Sequence, residues 1–150
     1  QQSDIKIFFD DISERIKNSH LVISRSGAST IAELSVIGRP AILIPYQFAI
    51  DNHQKINADA MVKSGGAWSF DESNLLPEAL ASFLEEILTD HGKLRSAAHA
   101  SHNFGIPESS EILANLISEA TKTNILALKF KFRQANNTQT LEGDHEKTPN

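Results

Sequence analysis

The stretch Leu21-Val22-Ile23-Ser24-Arg25-Ser26-Gly27-Ala28-Ser29-Thr30-Ile31-Ala32-Glu33-Leu34 decides the fold. Leu21 to Ile23 is a short apolar, partly β-branched run that predicts a strand, and Ser24 to Gly27 is a turn of mostly small residues. Ala28 to Ile37 then predicts a helix, with Ile31 and Leu34 as its apolar stripe and Gly38 before Arg39-Pro40 as its stop. Ser26 or Ser29 is the expected helix cap. A strand whose carboxyl end passes straight into a helix start is the unit of an open α/β sheet, and such sheets bind ligands at that rim.

The same alternation continues on both sides. Upstream, Ile5 to Phe9 predicts a short buried strand ended by Asp10 and Asp11, followed by a helix-like stretch from Ile12 to Lys17. Downstream, Ala41 to Ile44 is a strand stopped by Pro45, and a helix follows from about Asn52 to Lys63, closed by Gly65-Gly66. A strand from Ala67 to Phe70 is next, then helices over about Pro77 to Thr89, His91 to Asn103 and Pro107 to Thr121. Strands and helices in this order predict an α/β fold with a parallel sheet, right-handed crossovers and helices on both faces. Residues 1–121 are expected to form the domain. Residues 122–150 lose periodicity and are expected to be a disordered tail.

The 150 residues are 40% hydrophobic, enough for one compact domain with a core. A formal net charge of -5 argues against a broad basic surface, so no nucleic-acid partner is expected. The complete lack of cysteine excludes disulfides, zinc-thiolate sites, iron-sulfur clusters and thiol nucleophiles. No window approaches the roughly 18 apolar residues needed to cross a bilayer, so no membrane span is expected. The polar opening Gln1-Gln2-Ser3-Asp4 is neither a signal peptide nor a usual translation start, which suggests a processed chain or a piece of a longer one. Near the other end, Leu128-Lys129-Phe130-Lys131-Phe132-Arg133 alternates cation and aromatic. That pattern fits either an anionic membrane surface or a solvated tail.

Chemistry concentrates at two turns. At the first, Gly27, Ala28, Ser29 and Thr30 put unobstructed main-chain N–H groups at a helix start, where the helix dipole is positive; a diphosphate needs this, although a purely structural turn uses the same residues. Glu33 lies three residues after Thr30 and shares its face, while Ile31 and Leu34 point to the sheet. Its carboxylate would repel phosphate, but it can accept two hydrogen bonds from a ribose diol or stay solvated. The second turn, Pro45 to Gln54, ends in the polar run Asp51-Asn52-His53-Gln54 that opens a helix and suits sugar hydroxyls. Asp51 or Asn52 is expected to cap that helix. His99 and His102 share a helical face, but no third ligand joins them and no metal site is expected. Trp68, the only tryptophan, is expected to pack in the core.

The strings SRSGASTIAEL (24–34), GRPAILIPY (38–46) and DNHQKINA (51–58), followed by Gly65-Gly66-Ala67, resemble the carboxyl-terminal half of the bacterial lipid II-forming glycosyltransferases, the undecaprenyldiphospho-muramoylpentapeptide β-N-acetylglucosaminyltransferases. Phe8-Phe9-Asp10-Asp11-Ile12 and His20-Leu21-Val22-Ile23 fit the same pattern, and the likeness runs from about Ile5 to Ile117. The resemblance implies a Rossmann-like donor domain of a GT-B glycosyltransferase, incomplete at its amino end, that holds UDP-N-acetylglucosamine for transfer to the lipid-linked muramoylpentapeptide of peptidoglycan synthesis.

Carried over by position, the resemblance implies that Gly27, Ala28, Ser29 and Thr30 meet the donor's phosphates and sugar, and Glu33 the ribose. Gln54, with His53 beside it, would read the N-acetylglucosamine hydroxyls; the family often has a second glutamine where this chain has His53. Arg25 either faces the diphosphate or forms an ion pair. No residue here is expected to be a catalytic base, because the resemblance places acceptor activation in an amino-terminal half that these residues do not include. It further implies that the fragment is inactive alone, with no cofactor beyond a magnesium ion that can accompany the diphosphate. The implied location is cytoplasmic, at the inner face of the bacterial cell membrane. Two other readings stay open: a non-catalytic UDP-sugar-binding subunit that needs a membrane partner, and another UDP-sugar enzyme of the same fold.

Overall fold

The computed structural model describes residues 3–122. The described residues divide into two compact units, one ending at Pro107 and the other beginning at Glu108. The basic-aromatic run at 128–133 lies outside the described residues.

In the first unit, three short strands, β1 (Val22–Ser24), β2 (Ala41–Leu43) and β3 (Ala67–Ser69), form a parallel sheet in the order β1-β2-β3. Val22 stands opposite Ala41, and Ala41 opposite Ala67, so the carboxyl ends of all three strands finish at one rim. The helices are α1 (Ile12–Asn18), α2 (Ala28–Ile37), α3 (His53–Lys63), α4 (Pro77–Thr89) and α5 (His91–Phe104). Glycine ends α2 as expected: Gly38 is left-handed at φ 76°, and its N–H bonds back to the Leu34 and Ser35 carbonyls.

One face of the sheet carries the main core. Ala41, Leu43 and Ala67 pack there with Ile16 of α1, Ile31 and Leu34 of α2, and Ala58 and Met61 of α3. Ile42 alternates with its neighbours and is buried on the opposite face. Trp68 of β3 packs edge-on against Phe83 of α4, with ring centroids 5.7 Å apart, and Phe70 meets the same ring at 5.1 Å. Ile23 of β1 is 46% exposed, so packing on this second face thins out toward β1.

Two expectations are corrected here. Ile5 to Phe9 is not a buried strand: it has no strand assignment, and Ile5, Ile7 and Phe8 are exposed. A strand exists only through bonds to a neighbour, and among the described residues none pairs with this segment; Phe9 instead lies under the Arg15 guanidinium, 4.1 Å from ring centroid to Cζ. The second correction concerns the α2 cap. Its N-cap is Gly27, with no side-chain cap bond, because the Ser26 hydroxyl is engaged elsewhere.

In the second unit, residues 109–122 are helical, and Ile112, Leu113, Leu116 and Ile117 on that helix are exposed. Among the described residues no helix is long and apolar enough to cross a membrane.

Candidate functional site

The site is assembled at the carboxyl rim of β1 and β2. The first intrahelical bond of α2 runs from the Ile31 N–H to the Gly27 carbonyl at 2.9 Å, which leaves the amides of Ala28, Ser29 and Thr30 without an intrahelical partner. Ala28 and Ser29 are exposed and Thr30 is half-buried, so these donors open to solvent at the positive end of a ten-residue helix. Gly27 has φ -62°, and a Cβ placed on it would meet nothing closer than Thr30 Oγ1 at 3.7 Å. Neither backbone strain nor packing within the protein requires glycine there. A ligand that approaches the main chain would.

The second turn is tied directly to the first. The Ser26 hydroxyl, fully buried, donates to the Gln54 carbonyl at 2.7 Å, and Asn57 Nδ2 donates to the Ser26 carbonyl at 3.1 Å. One serine therefore couples the start of α2 to the first turn of α3. Gln54 holds its own loop as well: its Oε1 accepts the Tyr46 N–H at 3.0 Å, which leaves the side-chain NH2 as its remaining donor. His53 is exposed as the first residue of α3. Asp51 and Asn52 precede it at φ 52° and 53°, and Asn52 occupies the N-cap position without a side-chain cap bond. The expected capping role is thus replaced by a backbone one, since Asp and Asn tolerate left-handed geometry better than other side chains.

Glu33 is exposed on α2, and its carboxylate has no hydrogen bond or ion pair among the described residues. Arg25 is committed. Its Nη1 and Nη2 donate to the two carboxylate oxygens of Glu72 at 2.8 and 2.5 Å, with Nη1 also facing the Ile44 and Pro45 carbonyls at 3.2 and 3.4 Å. These bonds hold the Glu72 carboxyl below its ordinary pKa and raise that of Arg25. Of the two roles open to Arg25 in the sequence, the geometry shows the ion pair.

Residues 1–115 match the family model described as the glycosyltransferase family 28 C-terminal domain. The chain belongs to that family. Among curated relatives, a transferase of Rhizobium etli is 44% identical over 133 residues, covering 89% of this chain and 35% of the relative. One of Rhodospirillum rubrum is 45% identical over 114 residues, with 76% and 30% covered. Both are named UDP-N-acetylglucosamine--N-acetylmuramyl-(pentapeptide) pyrophosphoryl-undecaprenol N-acetylglucosamine transferase. Among solved structures, Acinetobacter baumannii MurG superposes with a TM-score of 0.69 at 28% identity, covering 75% of this chain and 32% of that one. The chain spans about a third of the length of the curated relatives it matches.

Within this family 28 domain, sequence reasoning missed the residues that join the two turns. By residue type Ser26 is a cap candidate, and Asn57 is one polar residue inside the DNHQKINA string. Neither has a local signal, since each acts on a residue about 30 positions away. A cleft of about 520 Å³ beside the Pro45–Asn52 loop is lined by Tyr46, Asn52, Lys55 and Phe70 among others. None of Gly27 to Glu33, His53 or Gln54 lines it. Among the described residues no three His, Asp or Glu side chains gather in a way that could hold a metal ion.

Proposed function

We propose that this domain binds the nucleotide-sugar donor of a hexosyltransferase, UDP-N-acetylglucosamine, for transfer of the sugar to a lipid-linked muramoylpentapeptide. The single observation that carries this reading is the Ser26 bridge, which joins a free helix start to a polar helix start at one rim. A diphosphate and the hexose attached to it need two such surfaces side by side. The names of the relatives supply the identity of the sugar and of the acceptor.

In this reading the amides of Ala28, Ser29 and Thr30 meet the diphosphate, and Gly27 lets it approach. As the bond to the anomeric carbon breaks, charge grows on the departing UDP, and fixed N–H donors stabilise that charge without having to reorient. Glu33 accepts from the ribose diol. The Gln54 NH2 and His53 face the hexose. The reading includes no resident cofactor and no general base in this chain. Acceptor binding and hydroxyl activation belong to an amino-terminal half, and contact with an anionic membrane surface, where a lipid-linked acceptor resides, belongs to the same proposal.

Calorimetric titration with UDP-N-acetylglucosamine tests the assignment. Glu33→Ala is expected to weaken binding about ten-fold, the loss of a charge-assisted hydrogen bond to the ribose. Unchanged affinity in the variant would remove Glu33 from the site, and the absence of heat from the wild-type chain would count against donor binding by this domain. Gly27→Ala separates ligand from fold: thermal stability should stay within about 1 kcal/mol of the wild type, because φ and space both admit a methyl group, while donor affinity falls. A variant that binds donor normally would show that the diphosphate does not approach Gly27.

A further inference from the structure

We propose that Arg25, through its pair with Glu72, is a positioning residue that clamps the three carboxyl-end turns of the sheet into one rim and so presets the donor-binding amides. The inference rests on the donor-binding reading for its functional consequence; the clamp itself is geometric.

The sidedness of the strand carries the argument. Side chains alternate along β1 and the turn that follows, so Arg25 is sent to the face opposite Ser26. Their partners agree: Ser26 bonds to α3, whereas Arg25 reaches the turn after β3. One guanidinium touches all three connections. It belongs to the turn after β1, it donates to the Ile44 and Pro45 carbonyls after β2, and it holds Glu72 in the 3-10 turn Glu72–Asn74 after β3. Tyr46 lies 5.6 Å away, from ring centroid to Cζ. Strands of three residues have few ladder bonds of their own to fix where their ends point. The turn from Ser24 to Gly27 is therefore held from both faces, by Ser26 on one and Arg25 on the other. Two parallel N–H···O bonds fix orientation as well as distance, which an arginine fork does and a lysine does not. The pair is part-exposed and adds little to global stability, as surface ion pairs generally do. Its effect is on where the rim sits.

A direct contact between Arg25 and the diphosphate makes the opposite forecast for Glu72, so a double-mutant cycle on the full chain decides. Under the clamp, Arg25→Ala and Glu72→Gln each raise the Kd for UDP-N-acetylglucosamine about five-fold, the double variant is no worse than either, and Arg25→Lys does not rescue. If Glu72→Gln binds as tightly as wild type or tighter while Arg25→Ala weakens, or if the two losses add, the clamp is overturned. A donor-free readout keeps this separate from the donor assignment. The Ile44 N–H donates to the Ser24 carbonyl at 2.9 Å, between the first two turns, and its hydrogen exchange should accelerate in Glu72→Gln with the melting temperature unchanged. Unchanged exchange overturns the clamp even if the donor binds. A wild-type chain that binds no donor but shows the faster exchange in Glu72→Gln keeps the clamp and rejects only the donor.

Discussion

Replacing Leu34 with alanine is expected to destabilise the first unit by about 3–5 kcal/mol, read as a lowered urea midpoint at unchanged slope. Leu34 is 0% exposed and lies where α2 meets Ala41, Leu43 and Met61. Truncation would remove apolar area from the centre of the core and leave a cavity that the sheet and helices cannot close. The main chain there is equally constrained, since the Leu34 carbonyl accepts the Gly38 and Arg39 N–H groups at 2.9 and 2.8 Å. A domain of this size has only about 5–15 kcal/mol of net stability, so the loss is a large share of the whole. Val36, two residues along and 43% exposed, provides the control: Val36→Ala should cost under about 1 kcal/mol. Equal losses at the two positions would refute the assignment of the α2 face that packs on the sheet.

Gly66→Ala is expected to cost about 3 kcal/mol, at the upper end of the range for overpacking. A Cβ on Gly66 would stand 2.8 Å from Ser101 Cα and 2.9 Å from Ser101 N. Both are main-chain atoms of α5, so no rotamer change relieves the clash, and the helix itself must move. That movement has a second consequence. The Ser101 hydroxyl, fully buried, donates to the Arg39 carbonyl at 2.9 Å and lies 3.2 Å from that of Leu34, pinning α5 to the carboxyl end of α2. Loss of those bonds would leave buried polar groups unsatisfied. Thermal melts of Gly66→Ala and the wild type measure the effect, and a change in melting temperature below 2 °C would mean that α5 yields there without cost.

Much of this domain was legible from local pattern. The bounds of α2 and α4 follow from apolar spacing with punctuation, Gly38 behind one and Pro77 at the start of the other. The three paired strands were recognisable because each is a short apolar run bounded by glycine, proline or polar residues. Where expectation failed for Ile5 to Phe9 and for Ser26, the missing information was a partner. Ile5 to Phe9 has the alternation of a strand, yet alternation specifies which residues face together, not whether a neighbour is present. The hydroxyl of Ser26 has the residue type of a cap, and what redirected it was the proximity of α3, about 30 residues further on. Asp51 and Asn52 kept their place at a helix start and changed their work from side-chain capping to left-handed backbone.

The sequence by itself determined the order of the three paired strands and the helices between them, the small-residue turn at Gly27 with helix-start amides beyond it, and a likeness to a glycosyltransferase family. These are properties of neighbouring residues and of strings, fixed by helical and strand periods and by the chemistry of single side chains. Only the tertiary structure decided that Ser26 joins the two turns, that Arg25 spends its charge on Glu72, and that Glu33 has no partner among the described residues. Each of these depends on a distance between residues remote along the chain, and such distances are set by how the sheet brings its strand ends together at one rim.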